Sequence, residues 1–278
     1  MRPPAAIFLL VAVEAMAAAA TPEQERDSLI RVLKQRFPGT TSADWIAGVS
    51  SNLSGVAAIP MSPEHSTNFA DVLAIGKKAW DRPFADGKSL ANCFANGGRN
   101  VAATYPQVDA KEHRVITLQV AINNCRRLHG EQEIGLAANA TWGPLIAYVR
   151  SLSLGQKLSV RVPGAVALEV FESGKALFRR RIGDHAYACA SCHVQHAGES
   201  YAEGGAIRVL PPPVGPAVTW PRVEPGSTVR TLQMQFQRCM LRAGAVPWEL
   251  GTKEMDELEF YFAQLSSGLP IQALSTTK

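Results

Sequence analysis

Cys189-Ala190-Ser191-Cys192-His193 places two thiols two residues apart, with an imidazole directly after the second. Thiols at that spacing can each add across one vinyl group of a haem, and the adjacent histidine then lies beneath the iron. The pattern predicts one covalently bound haem c, attached through Cys189 and Cys192, with His193 as the proximal ligand. A zinc site is the competing use of such residues, but no second CxxC or HxxxH is present to complete a tetrad.

The remaining cysteines divide by position. There are five: Cys93, Cys125, Cys189, Cys192 and Cys239. In an oxidising compartment Cys93 and Cys125 can pair, and closing their loop of about 31 residues contributes about 3–4 kcal/mol on the chain-entropy account. Cys239 falls outside both pairs. Such a thiol in an exported protein points to reactivity or ligation, against the plainer reading of an inert buried cysteine. It follows His193 by 46 residues, a spacing suited to a ligand on the distal side. Arg238 is adjacent and Arg242 lies at i+3; guanidinium charge favours a thiolate and attracts an anion.

Other residues compete for the same roles. Met234, Met240 or Met255 could ligate iron as in an ordinary electron-transfer cytochrome, although methionine on an apolar helix face is more often core. His185 and His196 flank the motif and read as solvated groups or partners of haem propionates. Trp220 and Trp248 read as packing around the pocket. Asp256, Glu257 and Glu259 read as a solvated helix face.

These residues need elements to hold them. Arg2, an apolar run over 5–13 and alanines at 17–20 have the form of a secretory signal, with cleavage expected between Ala17 and Thr21. No segment reaches the roughly 18 apolar residues of a membrane span, so the expected location is the periplasm. Net charge is only +4 and no basic run interleaves with aromatics, which excludes a nucleic-acid binder.

The expected fold is mainly α: a signal peptide (1–20), a helix and loop-rich extension (21–66), and two tandem cytochrome c-like domains with long loops. The first domain, 67–159, lacks haem; the second, 160–278, binds it. Thr21, Pro22 and Gln24 form a capping box that opens a helix running to about residue 37. Further helices are expected near 115–128, 143–152, 165–181, 228–243 and 252–266, with an extended Pro/Gly-rich loop over 204–225. On the last helix Leu258, Tyr261, Phe262 and Leu265 recur at i, i+3, i+4, i+7. The halves echo one another: Gly76-Lys77-Lys78-Ala79-Trp80 matches Gly174-Lys175-Ala176-Leu177-Phe178, and each precedes a cysteine segment. In the first half Asn96 and Gly97 stand where a second cysteine and a histidine would be. Neither can bond haem, so a Cys93–Cys125 bridge would take over part of the cofactor's structural role.

Four segments then resemble a known family, the SoxA subunit of the SoxAX cytochromes of bacterial thiosulfate oxidation. They are residues 90–98, 105–126, 174–200 and 232–271, ending in Ser-Ser-Gly-Leu-Pro-Ile. A single CxxCH with cysteines at 93 and 125 resembles the one-haem form. The resemblance implies an L-cysteine S-thiosulfotransferase, a subunit of a heterodimer that couples thiosulfate oxidatively to a cysteine of a SoxYZ carrier, with electrons leaving to a SoxX monohaem cytochrome. It implies that Cys239, modified to a persulfide, is the second axial ligand and the catalytic sulfur, with Arg238 and Arg242 beside it. The family usually carries an arginine four residues before that cysteine; here the position is Gln235. The alternative is a simple electron-transfer cytochrome with His/Met ligation; a haem-bearing binding module is a third reading.

Overall fold

The computed structural model describes residues 20–41, 44–45, 69–203, 206–224 and 228–274, without the side chains of 202–208. The expected signal peptide and most of the 38–66 loop lie outside the described residues.

The sequence echo is a structural repeat. In the first half α2 (Phe69–Asp81) crosses α5 (Asn139–Ser151); in the second, α6 (Gly164–Arg179) crosses α9 (Lys253–Leu265). A glycine sits at each crossing. A Cβ on Gly76 would fall against the Pro144 carbonyl and 2.6 Å from Tyr148 Cβ. One on Gly174 would fall against the Glu257 carbonyl and 2.9 Å from Tyr261 Cβ. The helices meet at that distance because there is no side chain between them. Four residues on, Trp80 and Phe178 are each 1% exposed. Trp80 packs 5.1 Å from Phe94 and 6.5 Å from Tyr148; Phe178 packs 5.3 Å from Tyr261 and 5.4 Å from Phe262.

Gly174→Ala is expected to destabilise the chain by about 3 kcal/mol, the upper part of the overpacking range, because backbone rather than a flexible side chain stands in the way. Gly135→Ala, where nothing lies within 4 Å, is its control and changes stability by less than about 0.5 kcal/mol. Denaturant titration of both variants checks this.

The segments between the crossing helices repeat as well. In the first half a cis Tyr105–Pro106 bond leads into the hairpin β1 (Gln107–Asp109) and β2 (Arg114–Ile116), then into α4 (Leu118–Leu128), capped by Thr117. In the second, a cis Trp220–Pro221 bond leads into β5 (Arg222–Val223) and β6 (Val229–Arg230), then into α8 (Leu232–Arg242), capped by Thr231. Each helix opens Thr-Leu-Gln and carries a cysteine eight residues after its cap: Cys125 in α4 and Cys239 in α8. A short helix, α3 (Leu90–Cys93), presents Cys93 to α4, and Cys93 and Cys125 form a disulfide with Cα atoms 5.9 Å apart. The bond therefore joins the first-half counterparts of Cys189 and Cys239.

One apolar core runs through both repeats, from Trp80, Ile122, Trp142 and Leu145 to Phe171, Met255, Phe260 and Leu265. Helix α1 (Pro22–Arg36) closes over the second half with the expected capping box. Its Glu25 is buried and takes ion pairs from Lys175 and Arg179. Because α9 is covered by α1, α6 and α8, its polar side is not a solvated face: Asp256 and Glu257 are 8% and 5% exposed, and Glu259 is partly buried. Burial pushes the Asp256 carboxyl up to about 6 and the Glu259 carboxyl up to about 7. Both accept from the Gln233 amide at 2.8 Å.

Two expected elements are corrected. Val115 belongs to β2 rather than to a helix over 115–128, and the expected 228–243 helix starts only after β6. The expected loop over 204–225 holds more structure than its Pro and Gly content suggests. It contains β4 (Ala206–Val209), paired with β3 (Ser200–Glu203), then α7 (Pro216–Thr219) and β5. No helix among the described residues is long and apolar enough to cross a membrane.

Candidate functional site

Cys189, Cys192 and His193 lie on a short helical segment that passes into a π-turn over Ser191–Gln195. Ser191 Oγ accepts from the Ala188 amide at 3.1 Å and pins the start of the turn. His193 Nδ1 lies 2.7 Å from the Pro211 carbonyl. Because a carbonyl only accepts, the proton sits on Nδ1, and the Nε2 lone pair is left for a metal. Burial lowers the His193 pKa, opposed by the Pro211 hydrogen bond and helped by the Arg242 charge, which favours the neutral ring that ligation requires. Phe262 holds the ring edge-on at 6.2 Å. From α1, Arg36 donates to the carbonyls of Val194 and Gln195, tying the N-terminal helix to the segment just after His193.

Helix α8 brings Cys239 to the same space. Cys189, Cys192, His193 and Cys239 all line one cavity of about 590 Å³, together with Gln235, Phe236, Met240 and Arg242. That volume is in the range of ligand sites. Burial pushes the Cys189 thiol up to about 12, and the Cys239 sulfur is close enough to raise it further. Two thiols at attachment spacing, an imidazole with its outer nitrogen already bonded, and a third sulfur on the facing helix form a donor set that fits a covalently held haem.

Gln235 donates to the Cys239 sulfur at 3.4 Å, and its own carbonyl accepts from Arg230 at 3.0 Å. Gln235 thus leads by a hydrogen-bonded chain to an arginine on β6. Arg230 pairs with Glu224, and Arg238 lies 3.6 Å from the same carboxylate. Burial raises the Cys192 pKa, and the charge of Arg242, which stands over the Tyr201 ring at 5.4 Å, offsets part of that rise. Arg238 and Arg242 both line the cavity.

The rival residues separate. Met234 Sδ accepts from the Thr231 amide at the start of α8, and Met255 is wholly buried in the core. Met240 lines the cavity and is the one rival methionine that does so. His196 lines it too, paired with Glu199. His185 packs against Tyr187. Trp220 lines the cavity, whereas Trp248 lies outside its lining, beneath Arg180 at 4.8 Å, so its expected place in the pocket is corrected. Sequence reading missed Arg222 and Arg230, which border the cavity from β5 and β6. The signal that would have found them is the second Thr-Leu-Gln, which marks where the hairpin ends and the helix begins.

The profile of the family described as "SoxA/TsdA, cytochrome c domain" matches residues 75–158 and 173–271. The chain belongs to the SoxA/TsdA cytochrome c family. The two matched stretches coincide with the two repeats. An L-cysteine S-thiosulfotransferase subunit SoxA from Chlorobaculum thiosulfatiphilum is 33% identical over 73% of this chain and 69% of its own length. The protein of the same name from Allochromatium vinosum is 30% identical over 94% of this chain and 92% of its own. In fold, the chain is similar to one in the crystal structure of SoxXA from P. pantotrophus, with a TM-score of 0.65 at 21% identity, covering 75% of this chain and 78% of that one. That likeness is to a mainly helical, two-part cytochrome c architecture.

Proposed function

We propose that this chain is the SoxA-type subunit of an L-cysteine S-thiosulfotransferase, working in the periplasm on thiosulfate and a cysteine of a SoxYZ-type carrier. The observation that carries the reading is the convergence of Cys239 with Cys189, Cys192 and His193 on one cavity. The SoxA relatives support it. Cys189 and Cys192 would hold one haem c, and His193 and Cys239 would be the donors offered to its iron. The repeat at 67–159 is the haem-less domain and 160–278 the haem-binding one. Asn96, Gly97 and the Cys93–Cys125 disulfide support that division.

The overall step balances simply. A carrier thiol and thiosulfate form one sulfur–sulfur bond, giving a protein S-thiosulfonate, with loss of one proton and two electrons. The haem, when bound, supplies one-electron acceptance, and the electrons leave to a SoxX-type cytochrome. The chain's own residues prepare the sulfur and the anion. Gln235 orients the Cys239 sulfur through its amide. Arg238 and Arg242 give the cavity wall the positive charge that draws in a dianion. The Pro211 carbonyl fixes the His193 tautomer.

A pyridine haemochrome assay of protein made with haem-maturation machinery is expected to give one haem per chain. Purified with a SoxX-type partner, the protein is expected to reduce that partner only when thiosulfate and carrier are both present. Two haems or none, or reduction that is indifferent to the carrier, overturns the reading.

A further inference from the structure

Arg222 is a buried cation whose hydrogen bonding is incomplete. It lies on β5, opposite Arg230 in the hairpin, and borders the cavity. Its guanidinium stacks on the Trp220 ring at 5.0 Å, and Nη2 donates to Thr219 Oγ1 at 3.3 Å. Its Nε is out of contact with solvent and has no hydrogen-bond partner among the described residues. The nearby carboxylate, Glu224, is engaged by Arg230 and Arg238 instead. Burial lowers the Arg222 pKa to about 10, which still leaves it protonated at neutral pH. A buried charge is retained only where something compensates it, and the guanidinium fork matches an anion with two oxygens side by side.

We propose that Arg222 is an anion-binding residue of this cavity, taking a two-oxygen anion, in the first place the carboxylate of a haem propionate. The inference rests on the haem reading given above. Position favours the propionate over a sulfur oxyanion at the reacting sulfur. Arg222 pairs across the hairpin with Arg230, which runs through the Thr231 cap into Leu232 at the first turn of α8. Cys239 lies seven residues further along that helix, about 10 Å at 1.5 Å per residue. Arg222 therefore suits the far rim of a large planar group better than a small anion at Cys239.

The test compares Arg222→Met and Arg222→Lys with wild type as holoproteins. It measures haem per chain, the haem midpoint potential as a function of pH, and KM and kcat for thiosulfate. For a propionate, the methionine variant is expected to show a lower potential, because the carboxylate's negative charge is no longer offset. Its potential is also expected to gain a pH dependence, as the carboxylate loses its cation and titrates. The lysine variant, which keeps the charge and loses the fork, is expected to fall between the two, with KM unchanged in both. A rise in KM of about tenfold or more, the loss of a charge-assisted hydrogen bond, with the potential unmoved assigns the site to the sulfur oxyanion. If Arg222→Met does not accumulate, Arg222→Gln carries the same readouts. Folded, haem-loaded variants with wild-type potential, pH dependence and KM overturn the proposal. A wild-type protein that carries haem but turns over no thiosulfate fails the proposed function and leaves the potential measurement intact.

Discussion

Cys239→Ser is expected to lower thiosulfate coupling to the carrier by at least about a thousandfold, the order seen when a reacting nucleophile is removed from an enzyme that works as a unit. The substitution is nearly isosteric and sits on a helix capped at Thr231, so the fold is expected to persist. Haem content is expected to stay at the wild-type level, because the proposed attachment runs through Cys189 and Cys192. The optical and EPR spectra are expected to change, because the proposed sulfur ligand is replaced by a weak oxygen donor. Unaltered spectra would instead show that Cys239 is not a ligand, leaving Met240, the methionine on the same cavity wall, as the candidate for His/Met ligation.

Loss of the disulfide is expected to have the second large effect. Cys93→Ala with Cys125→Ala should cost about 3–4 kcal/mol, the loop-closure value for a bridge of this span. Cys125 is 4% exposed, so the smaller side chain also leaves a void beneath α4. Haem attachment and thiosulfate coupling are expected to be retained in the folded fraction, because the bond lies in the other repeat. Denaturant unfolding of the double variant checks this; a loss below about 1 kcal/mol would mean the bond constrains the unfolded chain far less than its span implies.

Much of this arrangement was legible from residue types. The attachment motif is local chemistry, and Cys239 stood out because it fell outside both other cysteine pairs. Helix α1 was marked by its capping box and α9 by its apolar spacing, signals that need no tertiary information. What escaped reading depends on neighbours. Asp256 and Glu257 look solvated on a helical wheel, yet α9 is covered on several sides, with Gln233 donating to Asp256 and Ser173 to Glu257. The β5–β6 hairpin is two residues per strand, too short for any alternation to register, so only the Thr-Leu-Gln that follows it could have pointed to Arg222 and Arg230. The roles of Gln235 and Arg230 exist only as a chain of contacts between two elements.

The core that runs unbroken from Trp80 to Ile271 bears on how the protein comes apart. Two repeats with separate cores would melt in two steps, each with its own midpoint. With Trp142 and Leu145 in the same apolar cluster as Phe171 and Phe260, neither repeat can open without exposing the other, and unfolding becomes one cooperative event. Contacts that a covalently held haem makes only in the native second repeat then stabilise the whole chain, including the repeat that does not touch it. Apoprotein and holoprotein would each show a single calorimetric transition, the second at higher temperature, and the cysteine-bridged repeat would share fully in the gain.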